Sequence, residues 1–208
     1  MKCLGWLSIG CLLLSAPAWG EVVLYDNGPV NGAITAEAIY AGQAISDSFT
    51  LTNSSVLTGV TFGDWSGTGG TPTGVQWGIS ASIGGSDLGG GDAGPSSVFV
   101  TDSPDDLYFV YDSTFSLPDI SLGPGTYYLT LQNAYLQYWD VNDGPSAAYN
   151  GPADNLANTA VPGTDSESFQ ILGTETPEPN PGPVVAGLFA CAAAAGFIRK
   201  RRGGLASR

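Results

Sequence analysis

"VQWGISASI" (75–83) alternates large apolar residues with small or polar ones without a break. Val75, Trp77, Ile79, Ala81 and Ile83 fall on one face, and Gln76, Gly78, Ser80 and Ser82 on the other. A period of two predicts a strand with one face on a core. The same rhythm spreads in both directions. "TYYLTLQNA" (126–134) sets Tyr127, Leu129 and Leu131 against Tyr128, Thr130 and Gln132. Leu107, Phe109 and Tyr111 alternate in "DLYFVYD", Phe49 and Leu51 in "SDSFTLT", and Val60 and Phe62 in "TGVTFGDW". Val22 to Tyr25 opens the series and "SFQIL" (168–172) closes it.

Helical patterns fit poorly. Only "NGAITAEAIYAG" (31–42) could make a turn or two, and its Thr, Ile and flanking Gly work against that. Gly- and Pro-rich clusters at 66–74, 84–97, 116–125, 142–146 and 149–155 read as turns. Seven or eight strands at this spacing predict an all-β protein, a β-sandwich of jelly-roll type.

Charge is segregated along the chain. All six Lys and Arg (Lys2, Arg199, Lys200, Arg201, Arg202, Arg208) lie outside residues 21–178, and all 19 Asp and Glu lie inside. That body therefore carries a formal charge of −19 and no Lys, Arg or His. Its carboxylates are expected to face water, cap turns or bind cations. Nucleic acid is excluded as a partner, since phosphate backbones are held by basic groups. Triads built on His and His-ligated zinc are excluded too. The three cysteines, Cys3, Cys11 and Cys191, all lie outside the body, so it has neither disulfide nor thiol nucleophile.

The two ends read as addresses. Lys2, the apolar stretch Leu4–Leu14 and the small residues of "SAPAWGE" form an export signal over 1–20, for the Sec machinery. At the other end Pro177, Glu178 and Pro179 precede sixteen uncharged residues, Pro183–Ile198, and then the cations Arg199, Lys200, Arg201 and Arg202. Sixteen helical residues reach about 24 Å, slightly short of a ~30 Å hydrocarbon core. The cations would hold the cytoplasmic side. The expected order is a signal peptide (1–20), a sandwich (21–172), a Pro-rich linker (173–182), and a transmembrane sorting helix with its basic tail (183–208).

Motif, apolar stretch and basic cluster, in that order, resemble the PEP-CTERM sorting signal of bacterial envelope proteins. The resemblance implies recognition by an exosortase, a membrane-embedded cysteine protease-transpeptidase, and removal of the tail near the motif. Asn180-Pro181 after the motif, Cys191 inside the apolar stretch and six residues beyond the cations depart from that pattern. The segments "LYDNGP", "SDSFTL", "GVTFGDW", "GTYYLTLQNA" and "YWDVNDGPSAA" resemble the β-sandwich ectodomains that recur with such tails.

Four groups in the body are candidates for chemistry. In "WDVNDGPS", Asp140, Asn142 and Asp143 offer hard oxygens at the alternate spacing of calcium loops, with Gly144 turning the chain. No Glu follows at the EF-hand distance, and the same residues also form Asx and type I turns. "TDSPDD" (101–106) clusters Asp102, Asp105 and Asp106, as a calcium site or a solvated loop. Trp65 and Trp139, at strand ends beside Asp, are candidates to stack on sugars or to fill the core. Among nineteen acids a pair suited to glycoside hydrolysis cannot be singled out. The expected role is a non-enzymatic, exported envelope or matrix protein. The alternatives are a carbohydrate-binding module for extracellular polysaccharide and a secreted polysaccharide hydrolase.

Overall fold

The computed structural model describes residues 20–67, 70–162 and 165–176. The export signal, the Pro177–Pro179 motif, the apolar stretch and the basic cluster lie outside the described residues. Within them, alternation becomes strand pairing almost throughout. In chain order the strands are β1 (Val22–Asp26), β2 (Ala36–Ala38), β3 (Gln43–Leu51), β4 (Ser55–Gly67), β5 (Val75–Ser80), β6 (Gly89–Ala93), β7 (Ser96–Asp102), β8 (Tyr108–Leu122), β9 (Gly125–Gln132), β10 (Gln137–Asn142), β11 (Ala148–Pro152), β12 (Val161–Pro162), β13 (Ser166–Glu167) and β14 (Phe169–Glu175). Among the described residues there is one short helix, α1 (Leu156–Thr159). The protein is all-β, with two antiparallel sheets in a sandwich-like arrangement.

The thirteen-residue β4 organises the first sheet. One edge pairs with β8 from Ser55↔Leu122 to Gly67↔Tyr108. The other edge pairs with β14 from Ser55 to Phe62 and then with β10 from Asp64 to Ser66. β1 extends the sheet beyond β14, β7 beyond β8, and β2 and β13 pair with β10. The second sheet runs β12-β11-β3-β9-β5-β6. Between the sheets lie Phe49, Phe62, Ile79, Leu129, Leu131, Trp139, Phe169 and Ile171, each no more than 1% exposed. The Trp139 ring packs edge-on against Phe62 and Phe169 at 6.5 and 5.6 Å. Burying one such aromatic is worth several kcal/mol.

The differences from the sequence reading have local causes. β5 stops at Ser80, and Gly78 and Ser80 are buried although they lie on the polar face of the alternation. The turn after β5 folds back over them; a Cβ on Gly78 would lie 2.7 Å from the Gly85 carbonyl oxygen. The Gly-rich stretch expected as turn holds β6, paired with β5. A Cβ on Gly89 would sit 2.5 Å from Ile120 Cδ1, so glycine here makes room for the core. β8 runs through Pro118, which sits where the register against β4 slips between Leu57↔Ile120 and Gly59↔Ser116. A proline is tolerated at such a bulge because no ladder N–H is needed there. Residues 31–42 form no helix, and Ala36–Ala38 pairs with β10 instead. β14 extends to Glu175, three residues into the expected linker.

Gly63 marks a close approach beside the site described below. A Cβ there would collide with Ser168 Oγ and would lie 2.6 Å from Asp140 Cβ. Gly63→Ala is therefore expected to cost about 1–3 kcal/mol. Denaturant unfolding should show a lower midpoint with an unchanged slope.

Candidate functional site

Strand alternation carries polar groups to one end of the sandwich, on both faces of the first sheet. On β3, Asp47 follows Ile45 and precedes Phe49 and Leu51 on the core face; on β4, Asp64 follows Val60 and Phe62. Glu167 stands opposite core residue Val141. Asp47, Asp64 and Asp140 are 0% exposed and Glu167 is 2% exposed. The expectation for the body's carboxylates is that they face water, cap turns or bind cations; these four do not face water. Four are in the interior of a body that has no basic side chain to pair with them.

Backbone and amide groups do the pairing instead. Asp140 Oδ1 accepts from Trp65 Nε1 at 2.6 Å and from Gly32 N at 3.2 Å, and Oδ2 accepts from Asn31 N at 3.1 Å. These bonds pin the segment after β1 across the outer face of the first sheet. Asp47 Oδ1 accepts from Ser48 N at 2.6 Å and Oδ2 from Glu167 N at 2.8 Å, joining the two sheets. The fully buried Asn27 donates to the Glu167 carbonyl at 2.5 Å and to Ser146 Oγ at 2.6 Å, and its own carbonyl accepts from Asn142 Nδ2 at 2.6 Å. Asn142 Oδ1 accepts from Gly144 N at 2.9 Å and Ser166 Oγ at 2.7 Å. Asp64 Oδ1 and Glu167 Oε2 are buried without a hydrogen-bond partner among the described residues.

The candidate residues thus separate. Asp140 and Asn142 share the outer face of β10 with their oxygens engaged by protein donors, while Asp143 is exposed in the following turn. An ion at "WDVNDGPS" would have to displace those bonds. In "TDSPDD", Asp105 Oδ1 accepts from Ser103 Oγ at 2.6 Å and Leu107 N at 3.2 Å, the pattern of a side chain closing its own turn. No three carboxylates among the described residues gather as a metal cluster. Trp139 is wholly enclosed and donates to the Ser168 carbonyl at 2.9 Å; Trp65 is 6% exposed and held to Asp140. Neither ring offers a free face to a sugar.

A partly exposed aromatic group, absent from the sequence reading, lies beside Trp65. The Tyr138 ring is 5.1 Å from both Tyr40 and Tyr108, with edge-on geometry at 73° in each case. Its hydroxyl is 2.8 Å from that of Tyr40 and 3.5 Å from that of Tyr108. Hydrogen bonds with Tyr108 and Tyr40 hold the Tyr138 phenol well above its ordinary range. The signal was Tyr138 directly opposite Trp65 on paired strands, visible only once β10 is registered against β4. On the second sheet an amide-lined trough of about 340 Å³ runs past Gln76, Thr130 and Gln132. There Gln76 Oε1 accepts from Gln132 and Asn133, each at 2.7 Å.

No family model matches the sequence, and no curated protein is significantly similar to it. No helix among the described residues is long and apolar enough to cross a membrane.

Burial decides the titration of the inner acids. Desolvation pushes Asp47 up to about 6 and raises Asp64, Asp140 and Glu167 above their usual range, with neighbouring carboxylates adding to the effect on Glu167. A carboxyl whose folded pKa is raised binds its proton more tightly in the native state. The stability it contributes is complete below the unfolded pKa and is lost as pH rises through the folded one. From Asp47 alone, stability should fall by about 3 kcal/mol between pH 4 and pH 7. Chemical denaturation across that range should show it, with the other three acids adding in the same direction. Asp64→Asn keeps the volume and removes an acid that must otherwise hold a proton. It should raise the melting temperature at pH 7.5 and flatten the pH profile.

Proposed function

We propose that the protein is an exported bacterial envelope or extracellular-matrix protein with a non-enzymatic, structural or adhesive role, delivered through a PEP-CTERM tail that an exosortase processes. The observation that carries this reading is the order of parts at the C-terminus. Pro177-Glu178-Pro179, a sixteen-residue uncharged stretch and Arg199–Arg202 follow one another on a chain that opens with an export signal. The segregation of all six cations to the two ends supports it, because basic residues beside a membrane segment fix which side stays cytoplasmic. The reading takes the sandwich as a jelly roll. Its strands are divided between the two sheets, β1, β4, β7, β8, β10 and β14 in one and β3, β5, β6, β9 and β11 in the other, with repeated crossings from one to the other, which favours that winding. A reporter fused to residues 173–208 tests the sorting. Deletion of Pro177–Pro179 should leave it unprocessed in the membrane, and unchanged processing sinks the proposal.

The second reading, a carbohydrate-binding module, is favoured by the Tyr40, Tyr108 and Tyr138 cluster rather than by Trp65 and Trp139. Aromatic rings, which pack against sugar C–H groups, and paired hydroxyls suit a neutral sugar. A glycan array with the full chain and with Tyr138→Ala discriminates. Binding lost in the variant supports this reading, and no binding to any glycan removes it.

A further inference from the structure

Three phenols meet on the face of β10 that also carries Asp140. Tyr138 pairs with Ala38 of β2, and two residues later the chain brings Tyr40 against it. Tyr108, which opens β8, packs on Tyr138 as well. The Tyr40 and Tyr138 hydroxyls are 2.8 Å apart, and those of Tyr138 and Tyr108 are 3.5 Å apart. The carbons ortho to each hydroxyl flank its C–O bond, so hydroxyls in contact bring those ring edges together. Rotation about χ2 is soft for an aromatic ring, which lets the edges meet. All three rings are partly exposed, within reach of a solute. Residues 21–178 hold no cysteine, so a covalent staple there has to come from another pair of side chains.

We propose that Tyr40 and Tyr138 form an intramolecular dityrosine cross-link when a one-electron oxidant, a peroxidase acting with hydrogen peroxide, reaches this face. Each phenol gives up one electron and its O–H proton, and one hydrogen peroxide takes both pairs to become two waters. The spin of each phenoxyl radical lies partly on the ring carbons ortho to oxygen. One C–C bond forms between an ortho carbon of each ring. The hydrogens on those two carbons shift to the oxygens and restore both phenols. The product is two hydrogen atoms lighter than the starting chain. Tyr40 is the partner rather than Tyr108 because its hydroxyl is the closer. The two tyrosines are 98 residues apart, and a cross-link that closes so long a loop restricts the unfolded chain strongly. Charge keeps the reaction within one molecule, since copies of so acidic a body repel at low salt while the two phenols already touch. Tyr135, 76% exposed, is better placed to meet another copy. The cross-link requires neither the sorting nor the sugar reading.

The test treats the full-length chain, in non-ionic detergent at low ionic strength, with a peroxidase and equimolar hydrogen peroxide. Biphenol fluorescence and the intact mass of the monomer are read. Cross-linked peptides are then mapped after cleavage at acidic residues, because the body has no Lys or Arg for trypsin. The monomer should become fluorescent and two hydrogen atoms lighter, with Tyr40 joined to Tyr138. Tyr138→Phe should lose the link and Tyr135→Phe keep it. In urea the yield should fall at least about tenfold, because the contact that pre-orients the rings is gone. Should Tyr138→Phe fail to fold, Tyr40→Phe serves in its place and should lose the same link. A monomer of unchanged mass overturns the proposal. So does a dominant link between any other tyrosines, a link that survives Tyr138→Phe, or an equal yield in urea.

Discussion

A body (residues 21–178) with nineteen carboxylates and no basic side chain has one dominant constraint: every acid that enters the interior must be satisfied by something other than an ion pair. Asp140 shows the cost being met. Two backbone N–H groups and an indole N–H converge on it, and hydrogen bonds to a charged acceptor contribute about 1.5–3 kcal/mol each. Asp64 shows the other solution. One of its oxygens has no partner among the described residues, and a lone buried carboxylate costs far more than a neutral acid. It therefore keeps its proton at pH values where a surface Asp has lost it.

The rest of the architecture at this end follows from how those acids are held. Asp140 ties the segment after β1 to β10, so the outer face of the first sheet is covered there and Trp65 is enclosed. Asp47 sits on β3 in the second sheet and accepts from the backbone of Glu167 in the first, so one carboxylate bridges the layers. Asn27 completes the joint by bonding to Glu167, Ser146 and Asn142 at once. Beside this joint the sheets are held by ordinary packing of Phe49, Leu129, Ile79 and their neighbours, with Leu129 directly opposite Asp47. The two kinds of contact answer differently to conditions: apolar burial is insensitive to pH, whereas the polar joint titrates.

Much of the fold is readable from alternation because a strand with one buried face writes its geometry into every second residue. β3, β4, β5, β8, β9 and β14 are visible in this way. β6 is not, because its Gly89, Gly90 and Gly91 carry no side chains to alternate, and the neighbouring Trp77 and Ile120 occupy the space. The run through Pro118 is hidden because a bulge removes the hydrogen bond that proline would break. The inner acids are legible in part. The period of Leu51 and Phe49, continued backwards, lands on Asp47, and that of Val60 and Phe62, continued forwards, lands on Asp64. What sequence could not supply was the partner set, since Asp47 meets the backbone of residue 167 and Asp140 that of residues 31 and 32.

The lack of basic side chains also bears on what the surface can meet. Leaving the four buried acids aside, residues 21–178 still carry 15 of their 19 carboxylates, unopposed by any Lys, Arg or His in that stretch. Copies repel beyond contact at low salt, and the range shrinks to about 8 Å at physiological ionic strength. Such a surface is repelled by anionic lipid and by acidic polysaccharide. It approaches neutral glycans, cationic surfaces or anything bridged by divalent ions without that penalty. The tyrosine cluster beside Trp65 carries no charge of its own and offers a neutral ligand a partly exposed aromatic surface. Electrostatics thus narrows the class of partner more firmly than shape does, and it does so through the residues that the body lacks.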